Sequence, residues 1–461
     1  MNKLSKYVVF SDLFTDPTDN SEKVIVYSTR TNEMSVLTRD EFRFVKGNTL
    51  HAISSCLTDK LAESKVLVPE DENELEIVIR ENLEAIKHDQ TLFISIQPTA
   101  SCQLGCDYCA QKHTAKKLDQ ELEEKIVDRI INKLIKGGYK SLELAWFGAE
   151  PLTALSSIRR ISNKIFDFID ENSISYNSRI VTNGINLTNK IAKELFSELR
   201  IEYAEITLDG IAEYHNKRRM YKKGEGTFDI ILNNIEAVVN DPFCCLKISI
   251  RCNVDKRNKD AVIPLLDLLA LKGLDKKVDN FYVAPIRSWG NDVSSIVADM
   301  ESFGNWEIEW FAELKRRGMK FTLLPKRKKI LCMAVRKGAE LFDSYGDIYN
   351  CSEVSYIPQY EEVIDGQKVN KYSIGHINKG MKMENEIMIK DFYSKIFDGN
   401  YNCNNCEMLP TCGGSCPKSW LEGEIPCPPA KFNIKNRLLL SYFLNKEVLH
   451  IQNEKSGGCQ G

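Results

Sequence analysis

Three cysteines fall within eight positions, Cys102-x3-Cys106-x2-Cys109. Three thiolates so spaced can wrap one iron–sulfur cluster and leave one of its four irons without a protein ligand. An open iron is what a cluster needs in order to bind and reduce a substrate or cofactor. The same spacing also suits a zinc site completed by a fourth ligand such as His113.

Seven further cysteines crowd the C-terminal third: Cys332 and Cys351 with Gly346 between them, then Cys403-x2-Cys406-x5-Cys412-x3-Cys416, then Cys427. Two four-cysteine clusters need eight thiolates, so seven leave one position short. A structural zinc ribbon over 403–416 is the competing reading. Of the fifteen cysteines, Cys56, Cys244, Cys245 and Cys252 sit in helix or strand contexts and read as core thiols, while Cys459 lies in a Gly-rich tail and reads as mobile. A chain of this kind in a reducing compartment keeps its cysteines for metal, not for disulfides.

The elements that must hold these residues follow from periodicity. Residues 1–88 open with two β-rich runs, KYVVF and KVIVYSTRTNEMSVLT, followed by helical patterns and the amphipathic segment LEIVIRENLEAIKHD; this order suits a small winged-helix-like domain. From residue 89 to 319 short β-rich runs alternate with helices: 93–98, 142–148, 179–184, 205–210, 246–254 and 280–286 are the six strands. Six β-α units predict a parallel sheet with right-handed crossovers, two units short of a closed eightfold barrel, hence a partial barrel. Beyond 320 the alternation stops, and residues 320–461 read as a cysteine-rich domain with a partly inorganic core.

In parallel α/β folds ligands gather at the carboxyl ends of the strands. Here those ends carry the cysteine loop, Gly148-Ala149-Glu150-Pro151, Thr182-Asn183-Gly184, Thr207-Leu208-Asp209-Gly210, Arg251 with Asn253, and Ala284-Pro285. Any one of these is ordinary turn chemistry. Six at one face predict a site.

Composition narrows the class. The chain has 461 residues, 43% hydrophobic and 28% charged, with 62 Lys and Arg against 65 Asp and Glu and a net charge of −3. That balance argues against a polyanion-binding surface, and no apolar run is long enough to span a bilayer. With no signal-peptide pattern at the N-terminus, a cytoplasmic protein that binds neither nucleic acid nor membrane is expected. Residues 315–329 hold eight Lys or Arg and read as a solvated basic face.

Cys-x3-Cys-x-Tyr-Cys, the Gly-Ala-Glu turn, TNG and TLDG together resemble the radical S-adenosylmethionine (SAM) enzymes over residues 92–318. The resemblance implies that Cys102, Cys106 and Cys109 hold a 4Fe–4S cluster whose open iron takes the amino and carboxylate groups of SAM. It places Glu150 and the Gly148 backbone at the methionyl amine, Tyr108 beside the adenine, and Thr182, Asn183, Thr207 and Arg219 (in His215-x3-Arg219) at the ribose or carboxylate. Ala149 stands where the family has a second glycine, and alanine is uncomfortable at positive φ. The C-terminal cysteines resemble the SPASM domain of that superfamily. By that resemblance Cys403, Cys406, Cys412 and Cys427 hold one auxiliary 4Fe–4S cluster, and Cys332, Cys351 and Cys416 hold the other. Its fourth ligand is then an open position, a substrate thiolate, Glu353 or Cys459.

The N-terminal module resembles the leader-recognition element of enzymes that modify ribosomally made peptides, which binds a leader as an added strand. The implied activity is a radical SAM peptide maturase with three 4Fe–4S clusters. SAM is cleaved to a 5′-deoxyadenosyl radical, hydrogen is taken from a precursor peptide, and an oxidative thioether or carbon–carbon crosslink results. The implied partners are the precursor peptide and an electron donor such as flavodoxin or ferredoxin. An anaerobic sulfatase-maturating enzyme, forming formylglycine, shares most of these motifs but usually lacks the first 88 residues. A non-catalytic metal-cluster or peptide-binding protein is the remaining alternative, disfavoured by the strand-end set. Neither the modified residues nor a catalytic base is legible.

Overall fold

A computed structural model describes residues 2–364, 366–382 and 385–456, with side chains for 2–364, 366–382 and 388–444; Cys459 lies outside them. Its centre is a mixed α/β sheet dominated by parallel strands. Six of them follow the chain in spatial order: Thr91–Ile96, Ser141–Trp146, Ser175–Thr182, Tyr203–Thr207, Lys247–Val254 and Asn280–Pro285. Every neighbouring pair is parallel. Helices return the chain between them at the predicted places, among them Gln120–Gly137, Leu155–Glu171 and Phe228–Asn240. Gly138 ends the first of these in the left-handed conformation, φ 63°, where glycine carries no Cβ penalty. Ile126, Ile130, Ile158, Ile161, Ile165, Ile231 and Ile235 are all fully buried against the sheet, which is what the 3.6-residue period requires.

The sheet does not stop at residue 319. Strand Glu340–Phe342 pairs in parallel with Thr91–Ile96, and Asp347–Tyr349 continues antiparallel beyond it. The cysteine-rich C-terminal region therefore begins inside the barrel sheet. Glu340 is buried in this join and is held by Arg129 at 2.6 Å and Lys133 at 2.7 Å.

The N-terminal region has its own antiparallel sheet. Glu22–Ser28 is central, with Val8–Phe10 and Phe14–Thr15 on one side and Met34–Thr38 on the other. Asn2–Leu4 pairs separately with Leu67–Pro69. The run KVIVYSTRTNEMSVLT is thus a hairpin of two strands. Alternation along the central strand gives the sheet two apolar faces. Val26 joins Leu37, Val45, Leu61 and Leu67 in a core with the region's own helices. Ile25 and Tyr27 face the other way and pack on Met408, Ile434 and Leu438 from the C-terminal region. Helix Glu74–Lys87 likewise contributes Val78, Ile79 and Ile86 to a core with Ile389, Phe392 and Ile396.

The basic run 315–329 is largely the solvated face its composition suggests, with Arg316, Lys320, Lys326, Lys328 and Lys329 exposed, although several of its charges are paired. Arg317 and Arg316 bond Glu313, Lys320 pairs with Asp279, and Arg327 is buried. Arg327 donates to Asn82 Oδ1 at 2.7 Å and to the Pro410 carbonyl at 3.0 Å, joining the N-terminal helix to the cysteine region. The expectation of four core thiols also needs correction. Cys252 is buried, but Cys56 and Cys245 are exposed and Cys244 only partly covered. Cys56 lies on the outer face of the first turn of helix Ser55–Glu63, and Cys244 and Cys245 occupy the turn before strand Lys247–Val254.

Asp343 ends strand Glu340–Phe342 and caps the turn with its own carboxylate, accepting the Tyr345 and Asp347 amides at 2.9 and 3.0 Å. Burial, reinforced by the neighbouring Asp347, pushes it up to about 8. A raised carboxyl keeps its proton in the folded state while the unfolded chain ionises. Stability is therefore lost as pH rises from near 4 to 8, by about 1.4 kcal/mol per unit. Asp343→Asn removes that slope. Thermal melts should show the variant gaining on the parent at pH 8 relative to pH 5.5, and an equal difference at both pH values would refute the assignment.

Candidate active site

The Cys102–Cys109 loop has neither helix nor regular strand of its own, and is held by bonds reaching to segment 218–222. Gly105 N–H donates to the Met220 carbonyl at 2.9 Å, Asp107 N–H to Arg218 at 3.1 Å, and Lys222 N–H returns to Gln103 at 3.1 Å. Tyr108 fixes the loop from its middle. Its hydroxyl donates to Asp209 Oδ2 at 2.7 Å and accepts from Arg219 at 2.7 Å and Asn253 at 3.2 Å. The Arg218 guanidinium lies 5.2 Å from the Tyr108 ring centroid. Asp209, fully buried, also accepts the Asn253 amide at 2.9 Å, so one carboxylate ties the cysteine loop to the fourth and fifth strand ends.

His215 is structural. It accepts the Asp209 amide at Nδ1, which leaves the proton on Nε2 facing Thr227 at 3.1 Å. Burial and the flanking Arg219 and Arg218 hold it well below the usual histidine range, so it is neutral.

A cavity of about 230 Å³ opens at these strand ends. Cys102, Cys106, Cys109, Tyr108, Gly148, Thr182, Asn183, Thr207 and Arg219 all line it. Glu150 does not. Its carboxylate is fully buried and accepts from Asn183 N–H at 2.6 Å, Thr182 Oγ1 at 2.7 Å and Leu152 N–H at 3.0 Å. This side chain braces the second strand end against the third, and the wall beside it is the Gly148–Ala149 backbone.

Burial raises all three thiols of the loop, Cys106 to about 12. Cys102 and Cys106 both feel the charge of Cys109, and all three line one cavity. Only a bound cation would draw their protons off near neutrality. Around them are groups suited to a charged cofactor. Leu104 N–H points at Cys102 Sγ at 3.4 Å, and the Nε of Arg219 is buried without a partner at the cavity wall. The residues present therefore fit a cluster and a small zwitterionic ligand. His113 approaches Cys109 alone, at 3.9 Å.

The C-terminal thiols form two further groups. Cys403, Cys406, Cys412 and Cys427 surround a cavity of about 400 Å³, and the charges of Cys406, Cys412 and Cys427 all oppose ionisation of Cys403, whose thiol burial pushes up to about 12. Lys431 stands beside Cys427 at 3.6 Å. Cys332, Cys351 and Cys416 line an adjoining cavity of about 400 Å³ together with Glu353, and Cys412 borders both. Glu353 also lines the cavity of Cys102, Cys106 and Cys109. Gly413, Gly414 and Ser415, at φ 66°, 93° and 60°, turn the chain between Cys412 and Cys416, and a Cβ on Gly414 would lie 2.8 Å from Ile396. Among the described residues no three His, Cys, Asp or Glu side chains converge on a single-ion site.

Residues 96–245 match the radical SAM superfamily. The chain carries a radical SAM domain. The match begins at the last residue of the first parallel strand and takes in the cysteine loop and the second, third and fourth strands. A relative in Paramaledivibacter caminithermalis, the radical SAM cyclopropyl synthase TigE, is 21% identical over 82% of this chain and 78% of its own. A cysteine-type anaerobic sulfatase-maturating enzyme of Clostridium novyi is 23% identical over 72% of this chain and 89% of its own. A shorter match, 30% identical, reaches an uncharacterised Synechocystis protein and spans only 39% of that protein. The fold is shared with native anSMEcpe with bound AdoMet and Cp18Cys peptide, at TM-score 0.56 and 18% identity, over 79% of this chain and 99% of that one. The superfamily implies a 4Fe–4S cluster and SAM.

Sequence reasoning missed the inside of the radical SAM barrel. Below the strand ends a cavity of about 430 Å³ is lined by Phe93, Glu143, Arg179, Tyr203, Glu205, Arg251, Tyr282 and Arg336, with Cys332 at its edge. It shares Phe147, Val181 and Arg251 with the cavity of the cysteine loop. The signal was present: charged residues at alternate positions within otherwise apolar strands, Glu143, Arg179 and Glu205.

The Gly148–Ala149 turn is strained at one position. Ala149 has φ 37°, and a Cβ on Gly148 (φ 77°) would lie 2.5 Å from the Gln97 side chain. Opposite outcomes follow from opposite substitutions: Ala149→Gly should stabilise by about 0.5–1 kcal/mol, and Gly148→Ala should destabilise by about 1–3 kcal/mol. Chemical denaturation of both variants checks the pair, and a neutral Gly148→Ala would show that the turn is not constrained.

Proposed function

We propose that this chain is a radical SAM peptide maturase carrying three 4Fe–4S clusters, which crosslinks a ribosomally made precursor by a thioether or carbon–carbon bond. The observation that carries the reading is the barrel cavity itself: it lies between the Cys102, Cys106 and Cys109 group and the Cys332, Cys351 and Cys416 group. A substrate held there would be within reach of both.

Cys102, Cys106 and Cys109 would hold the first cluster; Cys403, Cys406, Cys412 and Cys427 the second; and Cys332, Cys351 and Cys416 the third. SAM would lie against Tyr108, Gly148, Thr182, Asn183, Thr207 and Arg219, with Glu150 fixing the Thr182–Asn183 turn. When bound, cluster and SAM supply one-electron chemistry able to remove hydrogen from an unactivated carbon. The chain's own contribution is position and exclusion of water. Arg251 borders both cavities and donates to Asn253 at 2.8 Å, coupling the SAM-side wall to the substrate side. Leu331, Cys332 and Met333 line the cavity alongside the strand residues.

The N-terminal sheet supports a peptide partner. Met34–Thr38 pairs on one side only with Glu22–Ser28, leaving an edge, among the described residues, to which an extended leader can add. The sulfatase-maturating reading draws on the Clostridium novyi relative and the shared fold, and it leaves this edge without a use.

Anaerobic reconstitution tests both parts. We expect about twelve irons per chain, and 5′-deoxyadenosine on addition of SAM and dithionite. Cys102→Ala, Cys106→Ala and Cys109→Ala should each remove about four irons and abolish SAM cleavage. With the short peptide encoded beside the gene, tandem mass spectrometry should find a loss of two hydrogens and missing fragments between two residues. No 5′-deoxyadenosine from protein holding about twelve irons would sink the radical SAM activity. Conversion of a sulfatase-derived cysteine or serine peptide to its aldehyde, with no crosslink in the encoded one, would favour the alternative.

A further inference from the structure

The charges inside the barrel are not evenly matched. The cavity wall carries Arg179, Arg251 and Arg336 against Glu143 and Glu205. Arg336 donates to Glu143 at 3.1 Å and, behind the wall, to Asp89 at 2.7 Å. Arg251 lies 3.7 Å from Glu205. Arg179 has no carboxylate partner and no hydrogen-bond acceptor among the described residues, although it is exposed and lines the cavity. Its guanidinium rests 5.7 Å from the Phe93 ring centroid, and Arg336 approaches the same ring at 5.5 Å.

The register explains why this arginine is free. Arg179 stands opposite Ala145 on one neighbouring strand and Tyr203 on the other. Alanine leaves room on that side, and directly paired positions share a face of the sheet. The two carboxylates of the wall are each one pleat away and are held by other arginines.

We propose that Arg179 is a specificity residue that receives a carboxylate of the peptide substrate, from an Asp or Glu side chain or from the peptide's C-terminus. A planar fork of donors matches a planar carboxylate at two points, and the stacked Phe93 fixes the plane in which it is offered. Glu143 and Glu205 in the same wall oppose a dianion, so a carboxylate is favoured over a phosphate. The inference rests on the maturase reading for the occupant being a peptide.

The test uses the reconstituted holoenzyme and fluorescein-labelled pools of random nine-residue peptides. One pool contains Asp and Glu; its match has Asn and Gln in their place, and each is made with a free and an amidated C-terminus. Fluorescence anisotropy should show the acidic pool binding about tenfold tighter than its amide match. Arg179→Gln should erase that preference, and Arg179→Lys, which keeps the charge without the fork, should retain part of it. Iron content and melting temperature establish that each variant is folded and loaded.

If preference follows the side-chain acids, the source is an internal acidic residue; if it follows only the free C-terminus, the source is the chain end. Equal binding of all four pools, or a preference unchanged in Arg179→Gln, would overturn the proposal. A preference that depends on Arg179 in protein that never cleaves SAM would leave this inference standing and overturn the maturase activity instead.

Discussion

Three thiols on a loop without a hydrogen-bonded ladder of its own must be positioned by something other than their ligand. Here that is the Tyr108 hydroxyl, held between Asp209, Arg219 and Asn253. The bonds around it are charge-assisted and buried, where removal of one partner strands the others. Asp209 reaches the fifth strand through the Asn253 amide and the helix after the fourth strand through His215. The cysteine loop thereby inherits the rigidity of the parallel sheet. A preformed loop also lowers the ordering cost of binding a cluster, since the thiols already face one space.

The same logic joins the three regions of the chain. An antiparallel sheet with two apolar faces needs two covers, and the N-terminal sheet uses its own helices for one and the C-terminal helices for the other. Thr29 adds a hydrogen bond to the Glu407 carbonyl at 2.7 Å, beside Cys406. A peptide added to this sheet would therefore bind a body continuous with the four-cysteine group, not a module on a flexible linker.

Much of this was legible in the sequence because strand and helix periods coincide with burial in the parallel sheet: Ile158, Ile161 and Ile165 could only face inward together. The partition of ten cysteines into three groups was drawn from family resemblance; in the folded chain Cys412 lines both C-terminal cavities. What stayed hidden depends on contacts between distant segments. The acidic residue of the Gly-Ala-Glu turn carries the right chemistry for an ammonium, yet Thr182 and Asn183, more than thirty positions away, take its oxygens. Within the largely solvated basic run 315–329, Arg317 and Arg327 are the exceptions, drawn in by Glu313 and by Glu81 and Asn82. Exposed Cys56 lies on a helix of the N-terminal region, whereas buried Cys252 lies in a strand of the parallel sheet.

The unclosed barrel accounts for the charges within it. A closed eight-stranded barrel fills its interior with layers of branched apolar side chains, because nothing else satisfies a dry core. With six consecutive parallel strands and a seventh, Glu340–Phe342, at the opposite edge, closure falls to the irregular segment 330–336. Irregular backbone seals less completely than a paired strand, so the interior stays open to water and to ligand. Inward positions can then carry Glu143, Arg179 and Glu205 without the desolvation cost a packed core would impose. The segment that completes the wall begins two residues before Cys332, so closing the barrel and presenting the third thiol group to its cavity are one structural act. Alterations that loosen 330–336 should accordingly disturb both the substrate wall and the Cys332 group, whereas alterations in the outer helices should leave each intact.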